Sequence, residues 1–231
     1  MNRQQPTPAG SRAASAGLVL VIGNRNYSSW SLRPWLAAAM TGASFDTIRI
    51  PLHQPDSQAR IRHYSAAGKV PVLVDGDHVV WDSLAICEYL AERFPEAGLW
   101  PSDAAARAVA RSVACEMHAG FAALRRDLPM NIRLDLAGHR WSPEADADIA
   151  RILALWSGLR ARHDSGGAFL FGRFCIADAM YAPVVLRLRS YRVPVPGDVA
   201  AYMQSVLDLP PMQAWMAAAL AEPERIDALE R

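Results

Sequence analysis

The stretch from Lys69 to Leu90, KVPVLVDGDHVVWDSLAICEYL, constrains the fold more than any other part of the chain. Two β-rich runs flank Asp75-Gly76, a dipeptide that readily adopts the positive φ values of a tight hairpin turn. The first run begins at Pro71, and a residue without an N–H suits the start of a strand. Directly after the hairpin, Ser83 to Phe94 carries apolar residues at helical spacing and stops before Pro95. A hairpin that feeds straight into a helix is therefore expected here.

Upstream, the pattern alternates. Leu18 to Gly23 reads as a buried strand, and Phe45 to Leu52 alternates like a second one. Between them, Ser31 to Met40 reads as a helix with Pro34 in its first turn and Gly42 just past its end. QARIRHYSAAG is a weak helix or a loop. The order is βαβ, a short helix, then ββα. Ala97 to Asp103 has linker character, and everything beyond it reads as helix. One long helix is predicted from Ala104 to Leu128. Another starts at Ser142-Pro143, with serine as cap and proline in the first position, and runs to about Arg162. Further helices are predicted at Ile176 to about Tyr191, Val199 to Leu207 and Met212 to Ala221. The fold class is α/β plus all-α: a small mixed unit over 17–96, a helical unit over 103–231, and a flexible tail over 1–16.

Composition excludes several classes. The 231 residues carry a formal charge of +1, which gives no reason to expect a nucleic-acid or acidic-membrane partner. No apolar run reaches the roughly 18 residues that a bilayer span needs. The first 16 residues lack an apolar core, so no signal peptide is expected. Cys87, Cys115 and Cys175 are odd in number and far apart, without a CxxC or metal-ligand spacing. That pattern fits a reducing cytoplasm and no metal.

The βαβ–ββα order, the Lys69–Leu90 block and the helical second half together resemble the cytosolic glutathione S-transferases. The resemblance covers the chain from about Leu18 onward. It implies a thioredoxin-like domain followed by a helical-bundle domain, glutathione as co-substrate, and a homodimer. It also implies a cis Val70–Pro71 bond, with the Val70 backbone pairing with the cysteine of glutathione like an added strand. At WDSLAI, the free N–H groups of a helix N-terminus and the Ser83 hydroxyl suit the γ-glutamyl carboxylate, while Asp82 can face the α-ammonium. The same residues make an ordinary helix cap, and the two roles are compatible. Lys69, with His53 and Gln54, lies where the family approaches the glycyl carboxylate.

NYSSWSLRPW, Asn26 to Trp35, resembles the family's serine-type pattern, in particular the zeta-like SSCS-x-R. A free thiol has a pKa near about 8.5, so little thiolate exists at neutral pH. A donated O–H and a helix N-terminus both favour the anion. The catalytic hydroxyl is either Ser28 or Ser29, with the spacing to Arg33 favouring Ser28. Trp30 replaces the cysteine of the zeta-like pattern, either as a wall of the substrate pocket or as core. Tyr27 is a less suitable partner for the sulfur. Cys115 to Arg133 resembles a proteobacterial subgroup of the family, which implies that Met117, His118 and Phe121 face the acceptor pocket. His118 is a candidate base or a packed helical histidine.

Three readings follow. The first is a glutathione transferase that adds the thiolate to a hydrophobic electrophile. The second is a glutathione-dependent cis-trans isomerase like maleylacetoacetate isomerase, which the serines support and Trp30 opposes. The third is a non-catalytic binding protein on the same fold.

Overall fold

The computed structural model describes residues 17–163 and 167–230. The tail expected over 1–16 lies outside them. Strands β1 (Leu18–Ile22), β2 (Phe45–Arg49), β3 (Val72–Asp75) and β4 (His78–Val80) form one sheet in the order β2-β1-β3-β4. β1 runs parallel to β2 and antiparallel to β3, and β3 and β4 form the hairpin. Gly76 sits in its turn at φ 58°, a conformation costly for any residue with a Cβ.

Strand alternation divides the core. Leu18, Leu20, Ile22 and Leu73 point to one face, where helices α1 (Ser29–Met40) and α3 (Ser83–Arg93) cover them. Val21, Val72 and Val74 point to the other, against Ile50 and Ile61 from the segment that includes α2 (Ser57–Arg62). Because period two sends successive side chains to opposite faces, such a strand reads as a continuous apolar run.

The helical half comprises α4 (Ala104–Ala119), α5 (Ala122–Asp127), α6 (Pro143–Arg162), α7 (Ile176–Ser190), α8 (Gly197–Leu207) and α9 (Pro210–Leu220). α7 is buried along nearly its whole length and packs against α1 and α4. Its N-terminus is held by Asp178, which accepts the Cys175 amide at 2.8 Å and the Leu170 amide at 3.1 Å. With a thiol at the cap position, the carboxylate three residues on supplies the strong acceptor. The linker is tied down as well, since Leu99 is buried and its carbonyl accepts the Ile176 amide.

Two elements differ from the sequence reading. The long helix expected over 104–128 breaks at Gly120 and Phe121, the latter in the left-handed region at φ 56°. Alanine-rich composition carries helical propensity straight across this corner and hides it. The first helix begins at Ser29 rather than Ser31, so Pro34 lies in its second turn. The amides of Tyr27 and Ser28 donate to the Asn24 carbonyl, and those of Ser31 and Leu32 to that of Ser28. This turn starts the helix early, and Pro34, having no N–H, leaves the Trp30 carbonyl without its helical donor.

Candidate functional site

A cleft of about 330 Å³ opens where α1, the start of β3, the end of β4 and α3 meet α4. It is lined by Trp30, Ala67, Lys69, Val70, Pro71, Trp81, Asp82, Ser83 and His118. That volume falls at the small end of ligand sites. Val70–Pro71 is cis. Asp82 is the cap of α3, its Oδ1 accepting the Leu84 amide at 3.0 Å. Ser83 is buried beside it, with its hydroxyl 3.4 Å from the same oxygen. A helix N-terminus with a carboxylate at its edge therefore borders the cleft, an arrangement suited to a zwitterion.

His118 enters from the helical half. Its Nε2 lies 3.5 Å from Asp82 Oδ2, and its ring meets Trp30 edge-on at 5.3 Å between centroids. Its Nδ1 is buried and has no hydrogen-bond partner. Trp81 stands 55% exposed at the rim, one of the two large apolar side chains most open to solvent among the described residues. Sequence reasoning missed Trp81 and Ala67 as lining residues. The position of Trp81, next to the Asp82-Ser83 cap, was the signal available.

Of the other sequence-predicted residues, Ser28 and Ser29 are not among the lining residues; both are buried at the N-terminus of α1, next to Trp30, which does line the cleft. The Ser28 hydroxyl is 2.7 Å from that of Ser31. The Ser29 hydroxyl instead accepts from Arg187 of α7 at 3.3 Å. Met117 is fully buried in the core. Phe121 is buried against Tyr181, and neither of the two lines the cleft. His53 and Gln54 are also absent from the lining. Tyr27 is buried, and its hydroxyl donates to the Glu230 carboxylate. Burial, with that carboxylate second, pushes its pKa up. Burial likewise raises the Cys87 and Cys175 thiols, which removes them as nucleophiles.

Behind Trp30 sits a cluster of cations. Arg33 stacks on the indole at 4.2 Å and Arg125 at 5.5 Å, while Arg187 approaches from α7. Arg33 donates to the carbonyls of Met180 (2.9 Å) and Ser29 (3.3 Å), and Arg187 to those of Leu128 and Arg125. None of the three forms an ion pair among the described residues. Desolvation first, then mutual repulsion, brings Arg33 down to about 9, and desolvation brings Arg187 to about 10. Both values leave the charge in place at neutral pH, so a cluster of cations backs the Trp30 indole, and none of the three arginines lines the cleft itself.

The loop before α1 is stitched to the distal end of the chain. Glu222, buried, accepts the amides of Arg25 at 2.8 Å and Asn26 at 3.3 Å. The Asn26 side chain accepts the amides of Ile132 and Arg133 and donates to Asn131. No group of three or more metal-binding side chains occurs among the described residues, and none of their helices is long and apolar enough to cross a membrane.

This architecture, a thioredoxin-like sheet domain docked on a helical bundle with a cleft between them, defines a class. Residues 27–93 match the family model of the glutathione S-transferase N-terminal domain. Glutathione S-transferase 3 of Zea mays is 30% identical over 194 residues, covering 79% of this chain and 80% of its own length. The chain belongs to the glutathione S-transferase family. A probable maleylacetoacetate isomerase of Caenorhabditis elegans is 31% identical over 97 residues, but the match spans only 42% of this chain and 44% of that relative. A theta class glutathione S-transferase from the citrus canker pathogen Xanthomonas axonopodis pv. citri, solved with glutathione bound, superimposes with a TM-score of 0.60 at 26% identity. That match covers 87% of this chain and 97% of the other.

Proposed function

We propose that this chain is a glutathione transferase. It binds glutathione in the cleft, holds the sulfur as thiolate beside Ser28, and adds it to a hydrophobic electrophile. The observation that carries the reading is the cleft itself, where the Val70–Pro71 start of β3 faces the Asp82-Ser83 N-terminus of α3. Val70 would pair with the cysteinyl backbone, Ser83 and the α3 amides would take the γ-glutamyl carboxylate, and Asp82 the ammonium. Lys69 would lie near the glycyl end, and Trp30 would separate the sulfur from the arginine cluster. The homologue with glutathione bound supports this assignment.

The chemistry balances simply. The thiol proton leaves to solvent, and the sulfur keeps the electron pair. That pair forms a bond to an electrophilic carbon, and a leaving group departs with its own pair. Ser28 and the field of the arginine cluster behind Trp30 would lower the cost of the anion, and the enclosing cleft would supply proximity. Ser28 is preferred to Ser29 by the zeta-like spacing to Arg33; the Ser29 oxygen accepts from Arg187, which leaves its own proton unassigned. His118 and Trp81, rather than Met117 and Phe121, would meet the acceptor. By family likeness the protein would act as a homodimer. A second reading, glutathione-dependent isomerisation of a cis-enone, draws on the nematode relative named as a probable maleylacetoacetate isomerase. Turnover of maleylacetone separates the two.

The test is thiolate absorbance on titrating glutathione into the protein near neutral pH. We expect a signal that Ser28→Ala abolishes and Ser29→Ala preserves. Binding without a thiolate signal would leave a binding-only role, and no binding would overturn the reading.

A further inference from the structure

We infer that Ser31 is a positioning residue that turns the Ser28 hydroxyl toward the glutathione sulfur. The inference rests on the reading of Ser28 as the thiolate donor. The Gly23 amide, a group that can only donate, gives its proton to Ser31 Oγ at 3.1 Å. The Ser28 hydroxyl donates to the same oxygen at 2.7 Å. A serine oxygen has two acceptor sites and one proton. Both acceptor sites of Ser31 are filled in this arrangement, and its own proton remains to be placed.

That spare proton makes the Ser28–Ser31 bond reversible at no loss. When a sulfur anion reaches Ser28, the Ser28 proton turns to the sulfur. The Ser31 proton then turns to the Ser28 oxygen it faces. Each hydroxyl rotates about its C–O bond, no heavy atom moves and no covalent bond changes. The pair still shares one hydrogen bond, so the bond to sulfur is a net gain. The result is a chain from the Gly23 N–H through Ser31 and Ser28 to the thiolate, in which each donor polarises the next.

The surroundings favour this arrangement. Ser31 is fully buried and Ser28 nearly so, which leaves little room for water to take Ser31's place. Gly23 lies so close that a Cβ on it would stand 3.1 Å from Ser28 Cβ and 2.8 Å from a methyl of Leu52, which fixes the rear of the chain. Ser29, one residue away, has no such connection.

The experiment records thiolate absorbance of bound glutathione against pH for wild type, Ser31→Ala, Ser28→Ala and the double variant. Affinity for S-methylglutathione, which has no thiol to ionise, reports on folding and on the rest of the site. Ser31→Ala should lower the thiolate fraction near neutral pH by about threefold, the scale of one neutral hydrogen bond. It should leave S-methylglutathione affinity within about twofold and cause no further loss in the Ser28→Ala background. Ser31→Cys, nearly the same size with a weak S–H donor, should show the same loss if the alanine variant folds poorly. A wild-type thiolate fraction in both Ser31 variants, or an equal extra loss in the Ser28→Ala background, would overturn the inference. A full thiolate signal in Ser28→Ala would instead overturn the choice of Ser28 and the chain built on it. Wild type without any thiolate would overturn the transferase reading itself.

Discussion

Asp82 and His118 face each other at 3.5 Å across the cleft, joining the start of α3 to α4. The other oxygen of the same carboxylate caps α3 through the Leu84 amide. One side chain thus serves helix and cleft at once, and substitution can separate the two. Asn caps a helix about as well as Asp but carries no charge. Asp82→Asn should therefore keep the melting temperature close to wild type and weaken glutathione binding by about tenfold or more, the value of a charge-assisted hydrogen bond. Asp82→Ala should lose about 1 kcal/mol of stability in addition. Calorimetric titration and thermal melts of the two variants check this, and equal binding by wild type and the Asn variant would exclude an ammonium at Asp82.

Arg187 holds the two halves together through Ser29 and the Leu128 and Arg125 carbonyls. A lysine ammonium is a single point that cannot span these acceptors in the guanidinium's planar geometry. Arg187→Lys should cost about 2–3 kcal/mol in urea unfolding, the scale of hydrogen bonds lost from a charged donor. Ser29→Ala removes one of the acceptors and should cost only about 1 kcal/mol.

Burial raises the Asp178 carboxyl from 3.8 to about 6. Between these values the folded protein binds the proton more tightly than the unfolded chain. Stability is therefore highest below about pH 4 as far as this group is concerned, and falls as pH rises through about 6. The full change amounts to roughly 3 kcal/mol. Asp178→Asn cannot titrate, so its unfolding free energy should lack this slope. Parallel urea titrations across that window check it, and identical slopes in the two proteins would refute the assignment.

Glu222 answers two amides of the loop before α1 and pairs with Arg25 and Arg49. Glu222→Ala would leave those buried amides unsatisfied and should cost about 2–4 kcal/mol. It should also blunt the thiolate signal, because the loop that presents Ser28 loses its support. Hydrogen exchange at Arg25 and Asn26 would report the loosening directly.

Much of the frame was legible in the chain because its signals are local. The Asp75-Gly76 turn, the strand runs and the Ser142-Pro143 cap each depend on a few neighbouring residues. The cleft depends on which face of each helix meets which partner. Met117 and His118 are adjacent and so point about 100° apart on a helix. With His118 in the cleft, Met117 turns into the core. Phe121 would have shared a face with His118 on an unbroken helix, but the chain turns at that point. The serine pair was visible as a pair. Their different hydrogen-bond partners were not, because the Ser29 oxygen accepts from Arg187, 158 residues away.

The Glu222 contacts also bear on the order in which the molecule is made. Arg25 emerges from the ribosome 197 residues before its carboxylate partner. At typical translation rates of about 5–20 residues per second, the nascent sheet domain spends ten seconds or more without that brace. During synthesis, the strands and α1 can form well before the Ser28 loop is locked. The Glu222 brace on the loop before α1 is therefore among the last contacts the growing chain can make.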